Sequence, residues 1–280
     1  MSKKLIFLLI LTTMLFLISC EDNSTKSSQG NNNIDSKLVF VPGGTFTMGR
    51  TTGEGNPREL PTHQVTLNSF YISKHQVTQA EYLAVMGANP EQPYNNGVGD
   101  NHPAYYVSWY DAVEYCNAKS AQDGLSKCYS YNGTNWKCNF NASGYRLPTE
   151  SEWEYAARGA TNVPDYLYAG SDIIENVAWY DASFDDPTHP VGWKAPNGLG
   201  LFDMSGNVWE WCYDLYSDYS EGPETNPIGP LFLLGVNYGR VKRGGTASRF
   251  TTSYRVVARS YQKSSSGSSS TGFRIARSDK

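Results

Sequence analysis

Asn197-Gly198-Leu199-Gly200-Leu201-Phe202-Asp203-Met204-Ser205-Gly206-Asn207-Val208-Trp209-Glu210-Trp211 is the stretch on which the reading of this chain turns. Three glycines alternate with Phe202, Trp209 and Trp211, so neither a helical nor a strand period runs through it. The same texture extends outward: long Gly-, Pro-, Asn- and Asp-rich stretches separate a few short periodic segments. That is too irregular for a sandwich or a regular α/β sheet. With 20 Tyr, 7 Trp and 11 Phe in 280 residues, the loops themselves must be packed by rings that keep a polar tip wet. An α+β fold with little regular secondary structure follows.

Short helices are signalled by their caps. Thr78-Gln79-Ala80-Glu81 fits a capping box opening a helix to about Met86. Ser108 precedes a second, Trp109 to Lys119, and Thr149 a third, from Glu150 through Ala157, which Gly159 ends. Leu38 to Phe46 reads as a strand pair turning at Pro42-Gly43-Gly44, and Gln64 to Ile72 as a further strand. In the cluster Arg146, Glu150, Glu152 and Glu154, positions 150 and 154 share a helix face and 152 points away. This predicts capping and buried ion pairs rather than a catalytic carboxylate set.

The N-terminus reads as an address. Lys3 and Lys4 precede an apolar run, Leu5 to Ile18, too short to span a bilayer comfortably. Its end, Leu17-Ile18-Ser19-Cys20, resembles a bacterial lipoprotein signal. The resemblance implies removal of residues 1–19 and a lipid anchor on Cys20, with export to the outer surface. Residues 20–37 are polar and read as a flexible tether, leaving one domain over residues 38–280. A net charge of −4 offers no basic face for nucleic acid. Nothing in the chain calls for more than a monomer.

Cys116, Cys128, Cys138 and Cys212 form no CxxC spacing, which speaks against zinc. A three-residue loop at 132–134 would set Cys128 opposite Cys138, a candidate disulfide in an oxidising location; Cys116 and Cys212 read as buried thiols. His63, His75, His102 and His189 are scattered, without a metal-ligand spacing.

Several motifs follow in order along the domain: Val41-Pro42-Gly43-Gly44-Thr45-Phe46-Thr47-Met48-Gly49, Ser69-Phe70-Tyr71-Ile72, Val77-Thr78-Gln79-Ala80-Glu81-Tyr82, His102-Pro103, and Val107-Ser108-Trp109-Tyr110-Asp111-Ala112. Arg146 to Arg158, the stretch at 197–211, Arg243-Gly244-Gly245 and Gly272-Phe273-Arg274 complete them. Together they resemble the formylglycine-generating enzyme (sulfatase-modifying factor) family from about residue 38 to the end. The resemblance implies a C-type-lectin-like fold. It also implies calcium held by Asn207, the Val208 carbonyl and Glu210, all hard oxygen ligands, against a purely structural hydrogen-bond network. A second calcium site would begin near Asn176 and Val177, but its other half is missing from 181–191.

Activity does not travel with the fold. The family's oxidase binds copper through two cysteines after the Gly-Gly pair. Here no cysteine occurs from Arg243 to Arg277, so soft Cu(I) has no thiolate there. No catalytic residue and no catalytic cofactor is expected.

Thr246 to Tyr254 and Ser264 to Thr271 contain only residues reachable from Asn codons with randomised adenines. They resemble the variable region of a diversity-generating retroelement, and with the signal the chain resembles treponemal variable lipoproteins of that class. The expected ligand-binding face comprises Thr246, Ala247, Ser248, Arg249, Phe250, Thr251, Tyr254, Tyr261, Ser264, Ser266, Ser268 and Ser270. Trp209, Trp211, Arg259 and Phe273 would anchor it, and Phe250, Tyr254 and Tyr261 would be its rigid contacts, with an unknown protein or glycan as ligand. Two alternatives stand beside this: a formylglycine-generating-type enzyme with altered chemistry, and an envelope protein without a ligand.

Overall fold

The computed structural model describes residues 36–280, except Thr52, Glu54 and the stretches 92–94, 162–163, 181–186, 232–238 and 247–250. The address, Cys20 and nearly all of the tether therefore lie outside the described residues. Among the described residues no helix is long and apolar enough to cross a membrane.

Strands β1 (Leu38–Val41) and β2 (Gly44–Met48) do not pair with each other. The segment read as one strand is likewise two, β3 (His63–Leu67) and β4 (Phe70–Ser73). β1 pairs with β4 and β2 with β3, so one antiparallel ribbon bends and changes sheet at residues 42–43 and 68–69. Gly43 is required at the bend, because a Cβ there would sit 2.7 Å from the Leu67 carbonyl oxygen.

The three capping boxes form as read. Helix α1 (Gln79–Met86) is capped by Thr78 and Glu81, α2 (Trp109–Gln122) by Ser108 and Asp111. Between α2 and the third helix, β5 (Tyr129–Tyr131) and β6 (Trp136–Cys138) make a hairpin. Helix α3 (Glu150–Arg158) is capped by Thr149 and Glu152 and ends on Gly159 in the left-handed region. A single turn, α4 (Ile174–Val177), precedes the 197–211 motif.

The rest of the chain closes the fold. β7 (Trp209–Leu215), β9 (Arg240–Arg243), β10 (Arg259–Gln262) and β11 (Thr271–Gly272) form a sheet in the order β10-β9-β7-β11, while the short β8 (Glu224–Thr225) joins β3. β12 (Ala276–Ser278) adds to β4 and returns the C-terminus to the first sheet. One core cluster gathers Trp153, Tyr155, Phe70 and Val241. A second gathers Trp109, Trp211, Tyr115 and Phe273, whose rings meet at 5–6 Å as edge or stacked pairs in the case of Tyr82, Tyr115 and Phe273.

Candidate functional site

The 197–211 motif is the keel beneath the candidate binding face. Asn197 donates to the carbonyls of Ala156 (2.7 Å) and Ala157 (3.1 Å), tying the motif to the end of α3, and accepts from Leu199 and Leu201. Asn207 adopts φ 63° and locks onto His189 through both its amide atoms, at 3.0 and 3.1 Å. Trp211 donates to the Val107 carbonyl and Trp109 to the Cys212 carbonyl, so both of these buried indole N–H groups are met.

Glu210 is wholly buried, and its two oxygens accept from Arg274 (2.6 and 2.8 Å), the Trp153 indole (2.6 Å) and the Gln76 amide (3.0 Å). The Gln76 Nε2 also lies 3.0–3.3 Å from the carbonyls of Val208, Asp203 and Gly206. The space between these oxygens is thus filled by an amide, and the carboxylate's charge is met by a guanidinium. The Val208 carbonyl and Glu210 Oε1 converge on the Gln76 amide, but Asn207 Oδ1 turns away to the His189 N–H, so Asn207, Val208 and Glu210 do not form the expected calcium cage. The structural hydrogen-bond network, the other reading of these residues, is what the geometry supports.

Buried ion pairs brace the C-terminal third. Glu150 takes Arg259 at 2.5 and 2.8 Å with Arg243 at 3.4 Å, Glu154 takes Arg243 and Arg158, Glu152 takes Arg146 at 2.6 Å, and Glu59 takes Arg255 at 2.6 Å. The carboxylates of α3 therefore serve as ties between loops, as the helix-face reading expected. Burial works against the charge of Glu154, but Arg158 and Arg243 outweigh it and hold the carboxyl below the usual range. Gly244 and Gly245, at φ 94° and 78°, follow Arg243 where a side chain would be strained.

From this frame two stretches leave. Thr246 departs half-buried from the Arg243/Arg259 end of the β9–β10 pair; 247–250 and the side chain of Thr251 lie outside the described residues. The serine run starts at the opposite, Arg240/Gln262 end and returns toward Trp209. Its carbonyls are held by the frame: Ser264 by the Trp109 N–H (3.0 Å), Ser266 by the Gln262 amide (2.7 Å), Ser268 by the Tyr106 N–H (2.9 Å), Ser269 by the Asn96 amide (2.6 Å) and Ser270 by the Trp209 N–H (2.8 Å). The side chains of Ser264, Ser266, Ser268 and Ser270 stay half-exposed, with a hydroxyl contact between Ser268 and Thr271 at 2.7 Å.

Two expected contact residues are corrected. Tyr254 is fully buried, because the 3-10 turn Thr251–Tyr254 turns its ring inward among Tyr168, Ile174, Val177 and Ala178. Tyr261 is half-buried: its ring packs 4.7 Å from that of Tyr216, with Arg58 5.5 Å above it. Both belong to the frame. Of the expected anchors, Trp211, Arg259 and Phe273 are buried and Trp209 half-buried.

Sequence reasoning missed Tyr106, Asn96 and Lys242. Tyr106 stands at φ 60° directly against the serine run. Lys242 lies beneath it, bonded to Gln262 and Thr271 and 5.6 Å from the Trp209 ring, and burial pulls its ammonium down to about 8. The contacts of Tyr106 and Asn96 join residues more than a hundred and fifty positions apart, those of Lys242 residues 20 and 29 apart, and no local pattern announces them.

Cys116 and Cys212 are buried, with burial pushing both thiols up. In strand register Cys138 stands opposite Tyr129, because the Asn132 side chain holds a four-residue loop by accepting from Thr134 and Asn135, yet the Cys128 and Cys138 thiols still meet in a side-chain hydrogen bond. All four domain cysteines are free thiols in this structure. His102 bonds Thr188 and is lowered by burial, while His189 stacks on Trp179 at 3.9 Å. Among the described residues no group of three His, Cys, Asp or Glu is placed to hold a metal.

Comparison with known proteins agrees with this architecture. The chain is 35% identical over 277 residues to "Chaperone protein LppX" of Paenibacillus barcinonensis, covering 88% of each. It is 32% identical over 305 residues to the formylglycine-generating enzyme of Streptomyces coelicolor, covering 85% of this chain and 88% of that one. The solved structure of Treponema denticola variable protein 1 superposes with a TM-score of 0.74 at 29% identity, over 86% of this chain and 95% of that one. Residues 23–279 match the model of the sulfatase-modifying factor enzyme 1-like domain, and the chain belongs to that family.

Proposed function

We propose that the chain is an exported, lipid-anchored binding protein rather than an enzyme, and that it recognises a protein or glycan through side chains in 246–271. The observation that carries this reading is the way residues 264–270 are held. Five of their carbonyls accept from frame donors, and no serine hydroxyl is needed to fix the backbone. Side chains there are replaceable without moving the loop, which is the physical requirement of a variable recognition surface. Likeness to a variable protein of Treponema denticola supports it, and likeness to a protein named as a chaperone is compatible with binding to a protein.

Catalysis of the oxidase type lacks its atoms. The stretch from Arg243 to Arg277 has no cysteine, and Cys116 and Cys212 are buried in the core clusters. The test is oxygen uptake by the full chain, loaded with Cu(I) and given a cysteine-containing peptide. No consumption above the copper-only background is expected; sustained turnover would replace this reading with that of a formylglycine-generating-type enzyme.

A further inference from the structure

Five buried arginines of this molecule, Arg146, Arg243, Arg255, Arg259 and Arg274, each rest on a carboxylate. Arg240 does not. Its guanidinium lies 3.9 Å from the Trp109 ring and 5.4 Å from that of Tyr213, donates to the Tyr213 carbonyl, and has no carboxylate partner among the described residues. Its Nε is buried without a hydrogen-bond acceptor, and burial lowers its proton affinity. Arg240 is half-buried, and a guanidinium partly withdrawn from water with no carboxylate in contact, Asp214 acting on it only from a distance, is better satisfied when a bound anion completes it.

Arg240 lines a cavity of about 610 Å³, within the range of small-ligand sites. Lys137 provides a second cation, Asn135 an amide, and Tyr110, Trp136 and Tyr213 provide rings; among the described residues no Asp or Glu lines the cavity. Lys137 is exposed and Trp136 half-buried, so both are accessible from solvent. The adjoining cavity of about 470 Å³, which shares Leu215, Ile228 and Pro230 with it, carries the carboxylates Glu150, Asp214, Asp218 and Glu224 on its own lining.

We propose that the cavity at Arg240, Lys137 and Trp136 binds an acidic saccharide. A guanidinium takes a carboxylate through paired N–H donors, and ring faces take the apolar C–H face of a pyranose. A uronic-acid unit carries both features in one hexose-sized body, with hydroxyls for Asn135. A bare phosphate would leave the rings uncovered, and an acidic peptide would offer them no flat apolar face. Ser264 touches the rim, but the site is built from residues outside 246–271 and stands whether or not those residues vary.

The test is calorimetric titration of the full chain with a hyaluronan tetrasaccharide, against chitotetraose, tetraglutamate and inorganic phosphate. Hyaluronan binding at least about tenfold tighter than any of the three is expected, a gap of about 1.4 kcal/mol. Lys137→Glu, an exposed change that leaves the core intact, should weaken it about tenfold or more. Arg240→Met should do the same and Arg240→Lys restore part of it, while Ser266→Tyr should leave it unchanged. Equal binding of chitotetraose, stronger binding of tetraglutamate or phosphate, insensitivity to Lys137→Glu, or no hyaluronan binding would each overturn the proposal.

Discussion

At Glu210 the chain's chemistry is decided by who holds two oxygens. Arg274, Trp153 and Gln76 hold them. Replacing Arg274 by Met strands a buried carboxylate, a loss of about 3–5 kcal/mol and a melting temperature lower by roughly 10 °C in a domain of this size. With the Gln76 amide in place of a cation, exchanging calcium for EDTA should move the wild-type midpoint by less than about 1 °C, whereas calcium linked to folding would lower it on chelation. Asp214 is a second informative residue. Burial, and then the Glu150 carboxylate, push its acid up to about 8, while it accepts from the Glu150 N–H at 2.8 Å. A raised acid favours the folded state below its unfolded value near 3.8, and that advantage is lost as pH climbs to about 8. Asp214→Asn keeps the acceptor without the charge. It should therefore raise the melting point over wild type at pH 8.5 and give a smaller gain at pH 5; equal gains at both would mean the carboxyl is ionised throughout.

The elements show where local chemistry sufficed. Thr78 with Glu81, Ser108 with Asp111 and Thr149 with Glu152 place three helix starts correctly, because a cap is satisfied within four residues. Pairing was not legible in the same way. Pro42-Gly43-Gly44 looks like a hairpin turn, yet β1 finds its partner some thirty residues on and β2 some twenty, in different sheets. One extra residue in the loop at Asn132, stabilised by its own side chain, moves Cys128 out of register with Cys138. The serine run gives a test at this scale. Ser264→Tyr, Ser266→Tyr and Ser268→Ala should each change unfolding free energy by no more than about 0.5 kcal/mol. Gly267→Ala and Gly272→Ala should cost about 1–3 kcal/mol, because a Cβ there runs into the carbonyls of Tyr106 and Ala104. Denaturant titrations in which the serine variants lose as much as the glycine variants would show that the loop depends on its side chains.

Across the whole molecule, family and fold were readable because motifs such as Arg146–Arg158 and 197–211 encode the buried ties themselves, Glu150–Arg259, Glu154–Arg243 and Glu210–Arg274. The face was only partly readable. Tyr254 meets the same codon rule as its neighbours and Tyr261 lies between the two stretches that meet it, but a codon rule carries no information on burial, and both rings pack inward. The proposed replaceable surface is therefore narrower than composition suggests. Its described part is Thr246 and the serine run, bordered by Tyr106, Asn96 and Trp209. Sequencing this gene from many isolates tests the central claim most directly. The account predicts substitutions concentrated in 246–250 and at Ser264, Ser266, Ser268, Ser269 and Ser270, with Tyr254, Gly267 and Arg259 constant. Substitutions scattered evenly over the domain, or a constant serine run, would contradict it.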